Sequence, residues 1–235
     1  MQKIALVCCR AGSKGVKNKN IKLFNGKPLL WWTAKSIIDS KLFNKVYLST
    51  DSSKIAKIGI KLGFIVPGLR PKRLAQDNSD VFETHKYFFK KNNIDDNNSI
   101  VCIINNNPFI SANIIKKSFT IFKKKKYRII VMLARDIDTD QIFYRQFFLK
   151  NSLLFPLFKK QLINSKINRN ASRSIMCNIG DLRWGKPSQL INFKKFNNTI
   201  VKNGFNFIKI NDAYHQDINT SEDWKIAQNK FRHIY

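Results

Sequence analysis

Short apolar runs recur along the chain, and the segments between them have helical spacing. A continuous apolar run is typical of a strand covered on both faces of a sheet, and its alternation with helices indicates β-α-β units. The pattern therefore predicts an α/β fold with a doubly wound, mainly parallel sheet. The predicted strands lie at 3–9, 45–50, 63–67, 99–104, 128–134 and 204–210, and the predicted helices at 28–40, 52–62, 80–91 and 111–124, with a final helix from about residue 220.

The alternation stops between residues 137 and 176. This segment is rich in Phe, is punctuated by polar residues and has no single period. We interpret it as an insertion within one domain that spans residues 1–235. The insertion is a candidate to cover the site or to pair with a second subunit, and an ordinary antiparallel flap on its own core is the alternative.

Composition limits the class of protein. Hydrophobic residues make up 43% of the 235 residues, which is typical of a globular chain. No apolar run is long enough to span a membrane, and the start MQKIALVCC favours a first strand over a signal peptide. The four cysteines form no C-x-x-C pair and lie in apolar contexts, which indicates buried thiols in a reducing cytoplasm and neither disulfides nor a zinc site. They are Cys8, Cys9, Cys102 and Cys177.

The chain is strongly basic, with 43 basic and 15 acidic residues and a formal net charge of +28. Such a balance suits a polyanion, an anionic membrane or an anionic small substrate. Lys, Ile and Asn are all abundant and all have A/T-rich codons, so a base-composition bias explains the charge without a nucleic-acid partner. We therefore expect neither nucleic acid nor membrane as a partner, and a charge that serves binding is the alternative.

A basic loop, residues 10–20, directly follows the first predicted strand. Its two glycines free the backbone to wrap a phosphate, and Arg10, Lys14 and Lys19 supply cations. The spacing matches neither G-x-x-x-x-G-K-[ST] nor G-x-G-x-x-G. The loop is a candidate triphosphate site, and a glycine turn that is basic because the whole chain is basic is the alternative.

Five sequence blocks, spread over residues 10–224, form one ordered set of motifs. They are R-x-G-S-K-G-x-x-x-K-N-I at Arg10–Ile21, G-K-P-L-L at Gly26–Leu30, S-T-D at Ser49–Asp51, R-P-x-x-L-A-x-D at Arg70–Asp77 and D-I-N-T-x-E-D-W at Asp217–Trp224. In this order they resemble the acylneuraminate cytidylyltransferase family, which makes CMP-activated nonulosonic acids and includes pseudaminic and legionaminic acid branches. The resemblance implies a Rossmann-like nucleotidyltransferase fold, transfer of CMP from CTP to a nonulosonic acid, Mg²⁺ as cofactor, a cytoplasmic location and a homodimer paired through residues 137–176.

The same resemblance implies roles for particular residues. CTP and an acidic nine-carbon sugar repel each other, so cations and Mg²⁺ must offset that repulsion. Catalytic roles fall to Arg10, Lys19 and Asp217, and Mg²⁺ would be held by Asp217 and Asn219. Nucleotide-binding roles fall to Arg10, Gly12, Ser13, Lys14, Lys19, Asn20, Arg70 and Ser79. Substrate-binding roles fall to Asn106, Asn107 and Arg169, the last reaching the site of a neighbouring subunit.

Three stretches depart from the pattern of the sialic acid branch. Residues Asn105–Ile110 stand where Q-P-T-S-P-L-R or a relative is usual, with the Pro kept and the Gln gone, and Asn219 replaces the second Asp of D-I-D. The stretch Asn178–Gly185 is similar to the D-A-G-Q-F-Y-W-G of the pseudaminic acid branch. The sugar therefore stays open among the nonulosonic acids.

Other interpretations remain at this point. The chain also fits a degenerate, non-catalytic relative that binds nucleotides or polyanions, and less well a cytidylyltransferase for the eight-carbon sugar Kdo. Asp217 also fits a helix N-cap, because Thr220–Asp223 is a good helix start. His85 and His215 are candidate bases, although a lone His in an apolar context is more often structural.

Overall fold

The computed structural model describes residues 1–124, 131–136, 147–150, 153–156, 176–192, 206–211 and 214–234. The strands are β1 (Gln2–Cys8), β2 (Leu23–Phe24), β3 (Lys27–Pro28), β4 (Lys45–Ser49), β5 (Ser99–Ile104), β6 (Val131–Asp136), β7 (Phe147–Lys150), β8 (Leu153–Pro156), β9 (Met176–Gly185) and β10 (Asn206–Lys209). The helices are α1 (Leu29–Ser40), α2 (Ser53–Lys61), α3 (Val81–Lys91), α4 (Ala112–Lys124), α5 (Pro187–Leu190) and α6 (Ser221–Ile234), with 3-10 turns at Lys19–Ile21 and Lys72–Leu74.

A mixed sheet with the strand order β10-β6-β9-β5-β1-β4 forms the centre of the described residues. β1 pairs in parallel with β4 and β5, and β10 pairs in parallel with β6, while β9 runs antiparallel between β5 and β6. The predicted α/β class is thus confirmed. Because β4 lies on one side of β1 and β5 on the other, the strand order reverses at β1, and such a reversal opens a crevice at the carboxyl ends of the strands.

Helices cover both faces of the sheet, because successive side chains of a strand point to opposite faces. Val7 of β1 packs in one apolar cluster with Leu30 of α1. Its neighbour Leu6 packs in a second cluster with Phe88 of α3. All four side chains are at most 5% exposed, so β1 is buried on both faces, as its continuous apolar run predicts.

A third apolar cluster joins α6 to the N-terminal part of the chain. Val16 and Phe24 pack there with Trp224 and Phe231 of α6. The ring of Phe24 meets both α6 aromatics edge-on, with centroids 5.4 Å apart, a favourable arrangement of aromatic pairs. This cluster places the segment before α6 beside the basic loop.

Two features of the sheet differ from the prediction. The strand predicted at 63–67 is a single bridge between Ile65 and Tyr47, because Gly63 takes a positive φ of 87° at the end of α2 and Pro67 has no N–H for a ladder. β9 was not predicted as a strand, since its partners β5 and β6 are far from it in sequence and no turn signal joins them.

Of the predicted insertion, the structure describes the antiparallel β7–β8 hairpin and the first residue of β9. The single domain and the dimer flap stay predictions.

Two expectations from composition can be compared with the structure. Cys8, Cys9 and Cys102 are free thiols, and the last two are buried; the side chain of Cys177 lies outside the described part. Burial raises the pKa of Cys8 and Cys102, so neither thiol is activated. No described helix has the length and apolar character needed to cross a membrane.

Candidate active site

A cavity of about 510 Å³ opens at the carboxyl ends of β1 and β5, where the strand order reverses. Eleven of the predicted site residues line it: Arg10, Ser13, Lys14, Lys19, Asn20, Arg70, Ser79, Asn106, Asn107, Asp217 and Asn219. Gly12 does not line the cavity, and Arg169 lies outside the described residues. The structure thus brings together blocks that are separated by up to 200 residues in sequence.

The basic loop is held against the segment that precedes α6. A Cβ built on Gly15 would lie 1.7 Å from the backbone oxygen of Asn219, so only glycine permits this approach. Lys19 Nζ donates a hydrogen bond of 2.8 Å to the backbone oxygen of Ile218. An ammonium has three donors, so Lys19 keeps two for a ligand.

Asp77 bridges two of the loop cations. Its carboxylate pairs with Arg10 through Oδ1 and with Lys14 through Oδ2, and all three residues line the cavity. The hydrogen bonds from Lys14 and Arg10 hold the pKa of Asp77 below its usual range. Sequence reasoning included Asp77 in a family block but gave it no role. Each of its two oxygens pairs with one loop cation.

A chain of hydrogen bonds connects the loop to the residues after β5. Asn20 Nδ2 donates to the backbone oxygen of Arg10 at 2.9 Å, and Asn20 Oδ1 accepts from Asn106 Nδ2 at 2.9 Å. Asn106 Oδ1 in turn accepts from the hydroxyl of Thr33 at 2.9 Å. Asn20 and Thr33 are buried, so these bonds fix the orientation of both amides. Asn106 therefore braces Asn20, in addition to lining the cavity.

Arg70 lies deep in the cavity with a side chain that is 7% exposed. Its guanidinium is 4.0 Å from Asp51 Oδ1, and its Nε has no hydrogen-bond partner among the described residues. Asp51 Oδ1 also accepts the N–H of Ala11 at 2.9 Å. A buried guanidinium donor without a partner costs free energy.

Ser79 shapes the turn that carries it as well as lining the cavity. Its hydroxyl donates to the backbone oxygen of Arg73 at 2.9 Å and accepts the N–H of Gln76 at 3.0 Å. These bonds hold the segment between the 3-10 turn and α3 against the cavity.

Asp217 and Asn219 line the cavity from the segment before α6. Both side chains are exposed, and Asn219 Nδ2 donates to Asp217 Oδ2 at 2.9 Å. The N-cap of α6 is made elsewhere: Thr220 Oγ1 accepts the N–H of Asp223, and Asp223 Oδ2 accepts the N–H of Thr220. The alternative role of Asp217 as the helix cap is therefore wrong, and Asn219 orients Asp217.

Asp181 joins the cavity from β9 and was missed as a site residue. Its Oδ2 accepts hydrogen bonds from Asn107 Nδ2 at 2.8 Å and pairs with His215 Nε2 at 2.9 Å. Asn107 Oδ1 accepts the N–H of Phe109 at 3.0 Å, which orients its amide. The only sequence signal was the Asp within the stretch that resembles D-A-G-Q-F-Y-W-G, and no spacing rule linked it to its partners.

His85 is structural. It is 1% exposed, its Nδ1 lies 3.2 Å from the backbone oxygen of Leu190, and its ring lies between Phe82 and Phe89. Burial, aided by the nearby positive charge of Arg183, lowers the pKa of His85 to about 3. The imidazole is neutral at physiological pH and does not line the cavity.

Together these features define a class: an α/β protein with a cavity, lined by cations and amides, at a reversal of strand order. A family model described as cytidylyltransferase matches residues 4–162. The chain therefore belongs to the cytidylyltransferase family, whose members are nucleotidyltransferases.

Solved structures share this fold at low sequence identity. CMP:2-keto-3-deoxy-manno-octonic acid synthetase complexed with CTP superposes with a TM-score of 0.73 at 11% identity, over 100% of both chains. The 4-diphosphocytidyl-2C-methyl-D-erythritol synthase of Anaerococcus prevotii gives a TM-score of 0.63 at 13% identity, over 98% of this chain and 96% of its own.

Sequence relatives carry the names of cytidylyltransferases for several nonulosonic acids, in line with the resemblance. This chain is 40% identical over 84 residues to N-acylneuraminate cytidylyltransferase A of Danio rerio (36% of this chain, 19% of the relative). It is 30% identical over 153 residues to the pseudaminic acid cytidylyltransferase and UDP-2,4-diacetamido-2,4,6-trideoxy-beta-L-altropyranose hydrolase of Helicobacter pylori (65% and 29%). It is 40% identical over 84 residues to the CMP-N,N'-diacetyllegionaminic acid synthase of Legionella pneumophila (36% and 36%). The matches thus span between about a fifth and just over a third of the relatives' lengths.

Proposed function

We propose that this chain transfers CMP from CTP to a nonulosonic acid of the sialic, legionaminic or pseudaminic type and releases pyrophosphate. One observation carries the proposal: the cations of the basic loop and the amide and carboxylate side chains after β5 and before α6 line one cavity. In the reaction a hydroxyl oxygen of the sugar bonds to the α-phosphorus, the bond from that phosphorus to the bridging oxygen breaks, and the hydroxyl proton passes to water. Pyrophosphate leaves with the bridging oxygen.

The cations on the loop side bind and orient the triphosphate. Arg10 and Lys14 exchange the carboxylate of Asp77 for phosphate oxygens, since both groups offer the same kind of acceptor. Lys19, anchored on Ile218, adds a third cation. These contacts offset the repulsion between the two anionic substrates before the hydroxyl approaches.

The residues present fit Mg²⁺. This ion prefers oxygen ligands, takes one or two protein carboxylates and completes its shell with phosphates and water. Asp217 offers one exposed carboxylate on the cavity, and Asn219 holds it in place. Among the described residues, no three acidic, His or Cys side chains lie close enough together to hold a metal ion. A bound ion would therefore take most of its ligands from substrate and water. When bound, Mg²⁺ neutralises phosphate charge.

A homodimer and a cytoplasmic location belong to the same proposal. The free thiols of Cys9 and Cys102 support the second, because a reducing compartment preserves them. Light scattering on a size-exclusion column tests the first.

Pyrophosphate release from CTP with sialic, legionaminic and pseudaminic acids tests the activity, and Kdo is the comparison acceptor. Turnover with at least one nonulosonic acid, and less with Kdo, is expected. Lys19→Ala should lose a charge-assisted phosphate contact, about 1.5–3 kcal/mol of CTP binding. Lys124→Ala, at the exposed end of α4, is the matched control and should have a much smaller effect.

Nucleotide selectivity separates the enzyme from a degenerate polyanion binder. CTP at a hundred times its dissociation constant should stabilise the fold by about 2.7 kcal/mol. Equal shifts in melting temperature with CTP, ATP, GTP and UTP at low salt, without turnover, would show nonspecific attraction to the basic surface and contradict the proposal.

A further inference from the structure

Asp181 brings a nearly buried carboxylate to the cavity, beside the residues that follow β5. It is 7% exposed and lines the cavity. Its backbone oxygen accepts the N–H of Asn105 at 2.8 Å, and its carboxylate contacts Asn107. Asp181 therefore lies with the residues after β5, whereas Asp77 already serves the loop cations.

Only one oxygen of this carboxylate is used within the described part of the chain. Both Asn107 Nδ2 and His215 Nε2 contact Oδ2. A carboxylate oxygen is purely an acceptor, and Oδ1 has no hydrogen-bond partner among the described residues. Oδ1 is thus left as an acceptor for a donor that enters the cavity.

The position of Asp181 is set before any ligand binds. Asn107 is buried, and its Oδ1 is held by the N–H of Phe109. The side chain of His215 is 10% exposed, and its backbone oxygen accepts a hydrogen bond from Lys230 Nζ at 3.1 Å. An acceptor fixed in this way loses little conformational freedom when a donor binds it.

Charge decides which part of a ligand can meet this oxygen. The carboxylate repels the phosphates of the nucleotide and the carboxylate of an acidic sugar, and both of those groups are attracted to Arg10, Lys14 and Lys19. A neutral donor is the group that Asp181 stabilises. We propose that Asp181 is a specificity-determining residue that accepts a hydrogen bond from a hydroxyl or acylamino N–H of the acceptor sugar, an inference that rests on the proposed function.

Asp181→Asn tests this directly, because Asn107 and His215 would both hold the amide oxygen and leave the NH₂ group toward the cavity. The variant keeps the shape but changes the cavity-side atom from acceptor to donor. We expect kcat/KM for the preferred acceptor to fall about 10- to 100-fold through a rise in its KM, while the KM for CTP and the melting temperature with CTP stay unchanged. Asp96→Asn is the matched control: Asp96 also accepts two hydrogen bonds, from Ser188, but does not line the cavity.

A series of acceptors that each lack one hydroxyl or acylamino group identifies the donor. On the wild type one of these analogues should lose about 10- to 100-fold in kcat/KM, and on Asp181→Asn the same analogue should lose almost nothing further. If Asp181→Asn fails to bind CTP, the test rests on the acceptor analogues measured with the wild type alone. The inference is then overturned if no analogue loses about 10- to 100-fold in kcat/KM. The inference is also overturned if the wild type is active and Asp181→Asn binds CTP but has the same kcat/KM and KM for the acceptor sugar as the wild type. A wild type that turns over no nonulosonic acid overturns the proposed function and this inference with it.

Discussion

Acidification should destabilise the protein through His85. The ring is buried between two aromatic side chains, and its pKa is lowered from 6.5 to about 3. The unfolded chain takes up a proton at this residue near its ordinary pKa, whereas the folded protein stays neutral there until far lower pH. Stability supplied by the neutral ring is therefore complete above pH 6.5 and is lost as the pH falls from 6.5 towards 3.

The magnitude follows from the distance between the two pKa values. Each unit of pH between them costs about 1.4 kcal/mol, so lowering the pH to about 4.5 removes roughly 2.7 kcal/mol of unfolding free energy through this group. That is a large part of the roughly 5–15 kcal/mol that stabilises an ordinary domain.

Urea unfolding of the wild type and His85→Asn at about pH 7 and about pH 4.5 measures the effect. The Asn amide can donate to Leu190 in place of Nδ1 and carries no titrating group, so the stability gap between the two proteins should narrow by about 2.7 kcal/mol at the lower pH. His233→Asn, at an exposed position on α6, is the control and should follow the wild type at both pH values. A gap for His85→Asn that stays constant between the two pH values would refute the reasoning.

Three further predictions concern the cavity. Gly15→Ala should lower both the melting temperature and the affinity for CTP, because its Cβ would meet the backbone oxygen of Asn219 at 1.7 Å; a variant that melts and binds like the wild type would contradict this contact. Asp77→Asn should tighten CTP binding several-fold in calorimetry at low salt, since no carboxylate then competes for the loop cations; weaker binding would mean that Asp77 instead prepares the loop. Asp217→Asn should nearly abolish Mg²⁺-dependent turnover, whereas Thr220→Ala should cost about 1 kcal/mol of stability and leave the Mg²⁺ dependence unchanged; a flat response to Mg²⁺ in the wild type and Asp217→Asn would contradict the metal site.

The central strands could be predicted from the sequence because their signal is local. The run that ends at Cys8 is apolar at nearly every position, and the structure buries it on both faces of the sheet. The loop that follows was also visible, since its glycines and cations lie within eleven residues of one another. Because this loop directly follows a strand, it could be expected at the carboxyl ends of the parallel strands, where ligands bind.

The contacts that give these residues their roles depend on tertiary structure. Gly15 needs to be a glycine because of Asn219, more than 200 residues later, and Lys19 is anchored on Ile218 of the same distant segment. The family blocks predicted one shared site for these residues, but not that the basic loop packs against the segment before α6.

The sequence by itself determined the alternation of strands and helices and the chemistry of the basic loop, because burial and backbone freedom act over a few neighbouring residues. Only the tertiary structure decided that Asp77 pairs with both Arg10 and Lys14 and that Asp181 meets Asn107 and His215. Hydrogen bonds and ion pairs act over about 3 Å, and chain segments 34 to 74 residues apart come that close only after the sheet and its helices have packed.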